Sequence, residues 1–149
     1  MSEEITAQWL IEKLELEPHT EGGWFRQTFK DMRENGERAH STAIYYLLEG
    51  HDVSRWHRVD AAEVWHWYAG GPMRLTVSAD GQKAKSHLLG NDFSAGELPQ
   101  VMVPRDHWQT ARSLGAWTLV GCTVAPGFER SGFELSEPMA AQFIVEGSH

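Results

Sequence analysis

From Glu63 to Tyr68 the chain alternates between two sets of side chains: Glu63, Trp65 and Trp67 in one set, Val64, His66 and Tyr68 in the other. A period of two predicts a strand, and the bulk of both sets predicts that both faces are covered. Gly70, Gly71 and Pro72 then predict a turn. The same period recurs upstream. In residues 41–48, Thr42, Ile44, Tyr46 and Leu48 oppose Ala43, Tyr45 and Leu47; in 54–59, Arg55, His57 and Val59 oppose Trp56 and Arg58. Trp24, Arg26 and Thr28 share a strand face just after Gly22 and Gly23, a pair that predicts a bulge or a close backbone approach. Further strand signals cover residues 73–79, 84–89, 100–103, 108–113, 117–124 and 128–135. Roughly eight to ten short strands separated by turn signals predict an all-β antiparallel sandwich or barrel.

Helical spacing is confined to the two ends. Trp9, Leu10, Ile11 and Leu14 form a stripe within residues 6–16, with Thr6 as N-cap and a stop at Glu17 and Pro18. A short helix is expected from Ser136, as N-cap, through Val145.

At 149 residues the chain is expected to form one domain, burying roughly 70% of its unfolded surface. A formal net charge of −8 argues against a nucleic-acid partner. The acidic start Met1-Ser2-Glu3-Glu4 is unlike a signal peptide and no apolar run approaches membrane-spanning length, so a cytoplasmic protein without a membrane partner is expected. The single cysteine, Cys122, excludes an internal disulfide and reads as a small core residue. Trp56, Trp117 and Phe143 read as core, and His19 and Glu21 as polar turn residues. Arg26 is a candidate ligand anchor, because a guanidinium inside a barrel pairs with a carboxylate or phosphate. Glu63 beside Trp65 is the first candidate site residue, since a carboxylate against indole is costly unless something compensates it.

The central stretch resembles the first motif of the cupin superfamily, with His57 at the motif's histidine, Glu63 at its glutamate and Gly70 at its glycine. Pro104, Asp106 and Gln109 resemble its second motif, with Asp106 at a turn position that favours glycine. A closer resemblance runs through Glu21-Gly22-Gly23-Trp24-Phe25-Arg26, Ser41-Thr42-Ala43-Ile44-Tyr45-Tyr46, Trp56-His57-Arg58 and Val120-Gly121-Cys122-Thr123-Val124-Ala125-Pro126-Gly127-Phe128 to the cupin-like family of unknown function numbered 985. That resemblance implies a double-stranded β-helix, or jelly roll, spanning residues 1–149, a ligand cavity and a homodimer. Its distant relatives include sugar-nucleotide epimerases and plant hormone-binding proteins.

The same resemblance implies that His57 and Glu63 face the cavity close to Gln109. Val59 and Gln109 occupy positions where metal-binding cupins carry histidines, so no cofactor is expected; a divalent metal, if held, would fall to His57, Glu63 and Gln109. With Glu63 orienting its ring, His57 is the expected general base of a metal-independent isomerase or epimerase acting on a small sugar-like or ring-containing metabolite. Trp65, Gln109, Tyr46 and Arg26 are the expected substrate contacts, with Tyr46 as opposing acid. The alternatives are a metal-dependent oxygenase or lyase and a non-catalytic metabolite-binding protein.

Overall fold

The computed structural model describes residues 4–136 and 144–146. Helix α1 (Ala7–Lys13) begins where Thr6, in extended conformation, accepts a hydrogen bond from the Trp9 amide. It ends earlier than the proline predicts. Glu15 adopts a left-handed φ of 55°, and the Leu16 amide turns back to the Ile11 carbonyl. Ala7, Leu10, Ile11 and Leu14 form the docking stripe, whereas Trp9 is exposed.

The strands are β1 (Glu17–Pro18), β2 (Trp24–Lys30), β3 (Thr42–Glu49), β4 (Val53–Val59), β5 (Ala62–Gly70), β6 (Met73–Ser78), β7 (Lys83–Leu89), β8 (Gln100–Val103), β9 (Trp108–Ser113), β10 (Trp117–Ala125), β11 (Phe133–Leu135) and β12 (Ile144–Glu146). They form two six-stranded sheets, ordered β1-β2-β3-β10-β5-β8 and β11-β4-β9-β6-β7-β12. The described pairings are antiparallel except for β12, which runs parallel to β7.

Two expectations about the C-terminal part are corrected. Residues 128–135 are not one strand, because a 3-10 turn (Arg130–Gly132) closes by a bond from the Gly132 amide to the Glu129 carbonyl and leaves only β11 extended. The predicted helix from Ser136 to Val145 is not what Ile144–Glu146 forms, since it is strand β12. The remainder of that segment, Phe143 included, lies outside the described residues.

The alternation read from sequence sorts the side chains as expected. Tyr46, Leu48, Trp65, Met73, Leu75, Val103 and Val120 pack between the sheets as the main core. A second cluster places Leu47 and Leu119 under α1, with Trp117 packed against it, and Trp56 is buried in a third. The outer face of β5 departs from expectation. Helix α1 reaches only the end of the sheet at Leu47 and Leu119, so Val64 and His66 stay half-buried and Tyr68 is exposed.

Candidate functional site

The site is assembled around the turn that joins β1 to β2. Gly22 has φ 113° there, and a Cβ on it would collide with the Val53 carbonyl oxygen. Glycine is therefore required for the turn to lie against β4. Close approach has two effects. The Arg55 amide donates to the Glu21 carbonyl at 2.8 Å, and the Glu21 side chain is buried inside the barrel. On β4, His57 points inward at the same level. Its Nε2 lies 3.0 Å from Glu21 Oε2, and its Nδ1 lies 2.7 Å from the Arg55 carbonyl oxygen. A carbonyl only accepts, so Nδ1 carries hydrogen, and the contact with a carboxylate requires hydrogen on Nε2 as well. His57 is an imidazolium whose two N–H groups are both taken.

Across the interior, β5 presents Glu63. Gln109 of β9 donates from Nε2 to Glu63 Oε1 at 2.9 Å, while Trp65 Nε1 donates to Gln109 Oε1 at 2.8 Å. An indole N–H can only donate, so it fixes which end of the amide faces the carboxyl.

These surroundings drive the two carboxyl groups apart. Burial opposes charge on Glu21, but His57, by Coulomb attraction and hydrogen bonding, outweighs it and lowers the pKa. Burial also opposes charge on His57, yet Glu21, with help from Glu63 and the Arg55 carbonyl, raises its pKa to about 9. For Glu63 burial prevails, supported by the Glu21 charge and opposed by His57, Gln109 and Cys122, and its pKa rises to about 7.

Between the sheets lies a cavity of about 230 Å³. Its polar lining comprises Glu21, His57, Glu63, His19, Thr42, Gln27 and the Cys122 thiol; Phe25, Ile44, Val59, Val124, Phe128 and Phe133 form the apolar wall. His19 Nδ1 accepts the Glu21 amide hydrogen at 3.0 Å, which leaves Nε2–H as the donor of a ring whose pKa burial lowers. The thiol is buried, and burial together with the neighbouring carboxyl groups pushes its pKa well up, which disfavours a nucleophilic thiolate.

A family model described as "Cupin superfamily (DUF985)" matches residues 8–136. The chain belongs to this cupin family. A solved structure from Shewanella oneidensis is 34% identical, covering 90% of this chain and 86% of that one, with a TM-score of 0.86. A hypothetical protein from Leishmania major is 30% identical, covering 93% and 90%, with a TM-score of 0.81. Oxalate decarboxylase from Bacillus subtilis is similar in fold, at 15% identity, 79% and 29% coverage and a TM-score of 0.62. No curated protein matches the chain.

In this cupin the residues expected at the site are distributed unevenly. His57 and Glu63 line the cavity. Gln109 and Trp65 stand behind Glu63, fully buried, and act on it through the hydrogen-bond chain rather than as walls. Tyr46 is also fully buried, with its hydroxyl donating to the Gly22 carbonyl at 2.5 Å and hydrogen-bonded to the Glu21 side chain as well, so it braces the glycine turn and its carboxylate and does not line the cavity as an opposing acid would. Arg26 is on the outside of β2, paired with Glu15 at 3.1 Å and with the Leu14 carbonyl at 3.3 Å, where it ties the end of α1 to the sheet. Alternation put Trp24, Arg26 and Thr28 on one face; Trp24 and Arg26 are on the outer one, and a bulge between Gln27 and Phe29 interrupts the alternation at Thr28. The partner expected for His57 is corrected too: Glu21 holds the ring, not Glu63.

The donor set does not fit a divalent metal at the cupin position. Val59 offers no ligand, both His57 nitrogens carry hydrogen, and the Gln109 amide oxygen is occupied by Trp65. Among the described residues, Glu49, His51 and Asp52 are the group whose ligand atoms cluster, and none of them lines the cavity. Sequence reasoning passed over Glu21 and His19. The signal available for them was the glycine pair beside them, which already predicted close backbone approach.

Proposed function

We propose that this cupin binds a small molecule in the cavity and moves a proton on it without a metal, as an isomerase or epimerase does, with Glu63 as the proton-transferring group. The observation that supports this most is the setting of Glu63. It is a buried carboxyl in the cavity wall, next to a cation already committed to another carboxylate, with a pKa of about 7. A group that gains and loses its proton near neutral pH suits general acid–base work. The role of base, expected of His57, passes to Glu63 because the imidazolium has no free lone pair.

On a carbonyl compound, ionised Glu63 takes the proton from the carbon beside the carbonyl. The C–H electron pair becomes a carbon–carbon double bond, and the carbonyl pair moves to oxygen. His19 supplies a neutral N–H donor for that oxygen from the cavity lining. Returning the proton to another carbon, or to the other face of the same carbon, completes an isomerisation or an epimerisation. The apolar share of the wall favours a ring-containing molecule over a sugar, whose hydroxyls would need more polar partners.

The test is deuterium uptake from heavy water by a panel of small ring-containing carbonyl compounds, read by proton NMR. Exchange is expected for compounds that bind, with a loss of roughly 100-fold or more in Glu63→Gln. Binding without exchange would establish a passive metabolite binder instead. Stoichiometric metal in protein purified without chelator would bring back the oxygenase or lyase reading.

Two further expectations are carried forward. No helix among the described residues is long and apolar enough to cross a membrane. We also propose that a second copy of the chain covers the outer face of β5, where Tyr68 is exposed and His66 stacks on it at 6.5 Å. Tyr68→Lys should then convert a dimer to a monomer in light scattering.

A further inference from the structure

We propose that the molecule accepted by the Glu21–His57–Glu63 cavity is a small organic ammonium with an apolar body, and that carboxylate anions are excluded. The inference rests on reading this cavity as a ligand site and adds its charge class. Three independent features converge on it.

The first is charge. Among the described residues the lining contains two carboxyl groups, Glu21 and Glu63, and no lysine or arginine. Its single cation, His57, is already matched by Glu21 at 3.0 Å. Among the described residues Glu63 is hydrogen-bonded by an amide and a thiol, and the cation that attracts it, His57, is already paired with Glu21, so Glu63 when ionised has no dedicated counter-ion. A buried charge lacking a partner is costly, and an incoming ammonium would supply one.

The second is the absence of an anion receptor. A carboxylate ligand needs free N–H donors, with positive charge behind them. Both His57 donors are taken, one by Glu21 and one by the Arg55 carbonyl. Gln109 donates from its amide nitrogen to Glu63 and does not line the cavity. The donors left in the lining, His19 and Gln27, are neutral and serve a carbonyl equally well. Arg130 acts on His19 electrostatically but is not part of the lining.

The third is the wall. Phe133 lies 5.8 Å from Phe128 and 5.5 Å from the His57 ring, and Phe25 lies 4.5 Å from the His19 ring, all as centroid distances. Aromatic faces attract a cation and repel an anion, and they also accommodate its apolar body. An amino-substituted carbonyl compound would combine this charge class with the proton transfer proposed above.

The experiment uses three probes of nearly equal shape on the full chain: benzylamine as the cation, benzyl alcohol as the neutral form and benzoate as the anion. Binding is read by protein-observed NMR at neutral pH. Benzylamine should bind about tenfold tighter than benzyl alcohol, with no measurable benzoate binding. Glu63→Gln, with its fold checked by thermal unfolding, should remove the amine preference, so that benzylamine binds no tighter than benzyl alcohol. Benzoate binding as tightly as benzylamine, or an amine preference that survives Glu63→Gln, would overturn the inference while leaving the ligand site standing. Absence of binding by all three would overturn both.

Discussion

Glu21 and Glu63 face one cavity from opposite sides, and their surroundings hold them in opposite condition. Glu21 enters on the glycine turn and meets an imidazolium, so it stays ionised despite complete burial. Glu63 enters on β5 and meets an amide whose orientation Trp65 dictates, so burial prevails and its proton is held to near pH 7. Depth alone therefore does not determine a carboxyl group's state; the partner does. One carboxylate is locked in an ion pair, and the other is left near its point of protonation at neutral pH.

Removing the organising partner should have the largest effect. Glu21→Leu leaves His57 buried without its counter-charge, and a loss of about 3–5 kcal/mol is expected in urea unfolding. The His57 ring should then titrate far below its present value, as followed by imidazole NMR. An unchanged His57 titration would show that Glu21 is not what sustains the cation.

The pH dependence of stability sharpens the contrast. Glu63 has its pKa raised from 4.5 to about 7, so the folded state keeps a proton that the unfolded chain releases in that window. Stability from this group is fully present below pH 4.5 and is lost as pH rises through about 7, by on the order of 3 kcal/mol. His57, raised from 6.5 to about 9, has the same sign in the next window: its contribution is present below 6.5 and is lost as pH rises through about 9. Glu21 runs the other way, stabilising above pH 4.5 and losing its contribution as pH falls through its lowered pKa. Stability should therefore decline from mildly acidic to alkaline pH, and Glu63→Gln should flatten the part between pH 4.5 and 7. A profile that rises across this window would refute the assignment.

A smaller effect is expected from Trp65→Phe, which removes the donor that orients Gln109. The freed amide can turn its oxygen towards a protonated Glu63, so the carboxyl pKa should rise further, at a stability cost of about 1–2 kcal/mol. Carboxyl carbon NMR of Glu63 reads the first and thermal unfolding the second. Least of all, Arg26→Ala should change stability by no more than about 0.5 kcal/mol and leave ligand binding unchanged, because its pair with Glu15 is exposed.

Much of this could be read from the chain. Alternation put Glu63, Trp65 and Trp67 on one face of β5, and the cupin resemblance implied that His57 and Glu63 face one interior, where both line the cavity. Asp106, expected to tolerate the left-handed region, has φ 64°. Arg26 shows where the reading stopped. Its parity was right, but parity alone does not say which of two faces is the inner one. Tyr46 shows a further limit: it is on an inward face, yet its hydroxyl is used by the Gly22 carbonyl and the Glu21 side chain, and Tyr46 does not itself line the cavity.

By itself the sequence determined the two-faced strands and the capped helix at Thr6, and its cupin resemblance implied that His57 and Glu63 face one cavity. The first two follow from local rules, backbone period and capping geometry. Only the tertiary structure decided that Glu21 becomes the counter-ion of His57, and that Glu63 is left with an amide and a thiol as its hydrogen-bonding neighbours. That decision depends on Gly22 lying against Val53, a contact between segments distant along the chain. No local pattern reports which carboxylate such a contact will bring to the imidazole first.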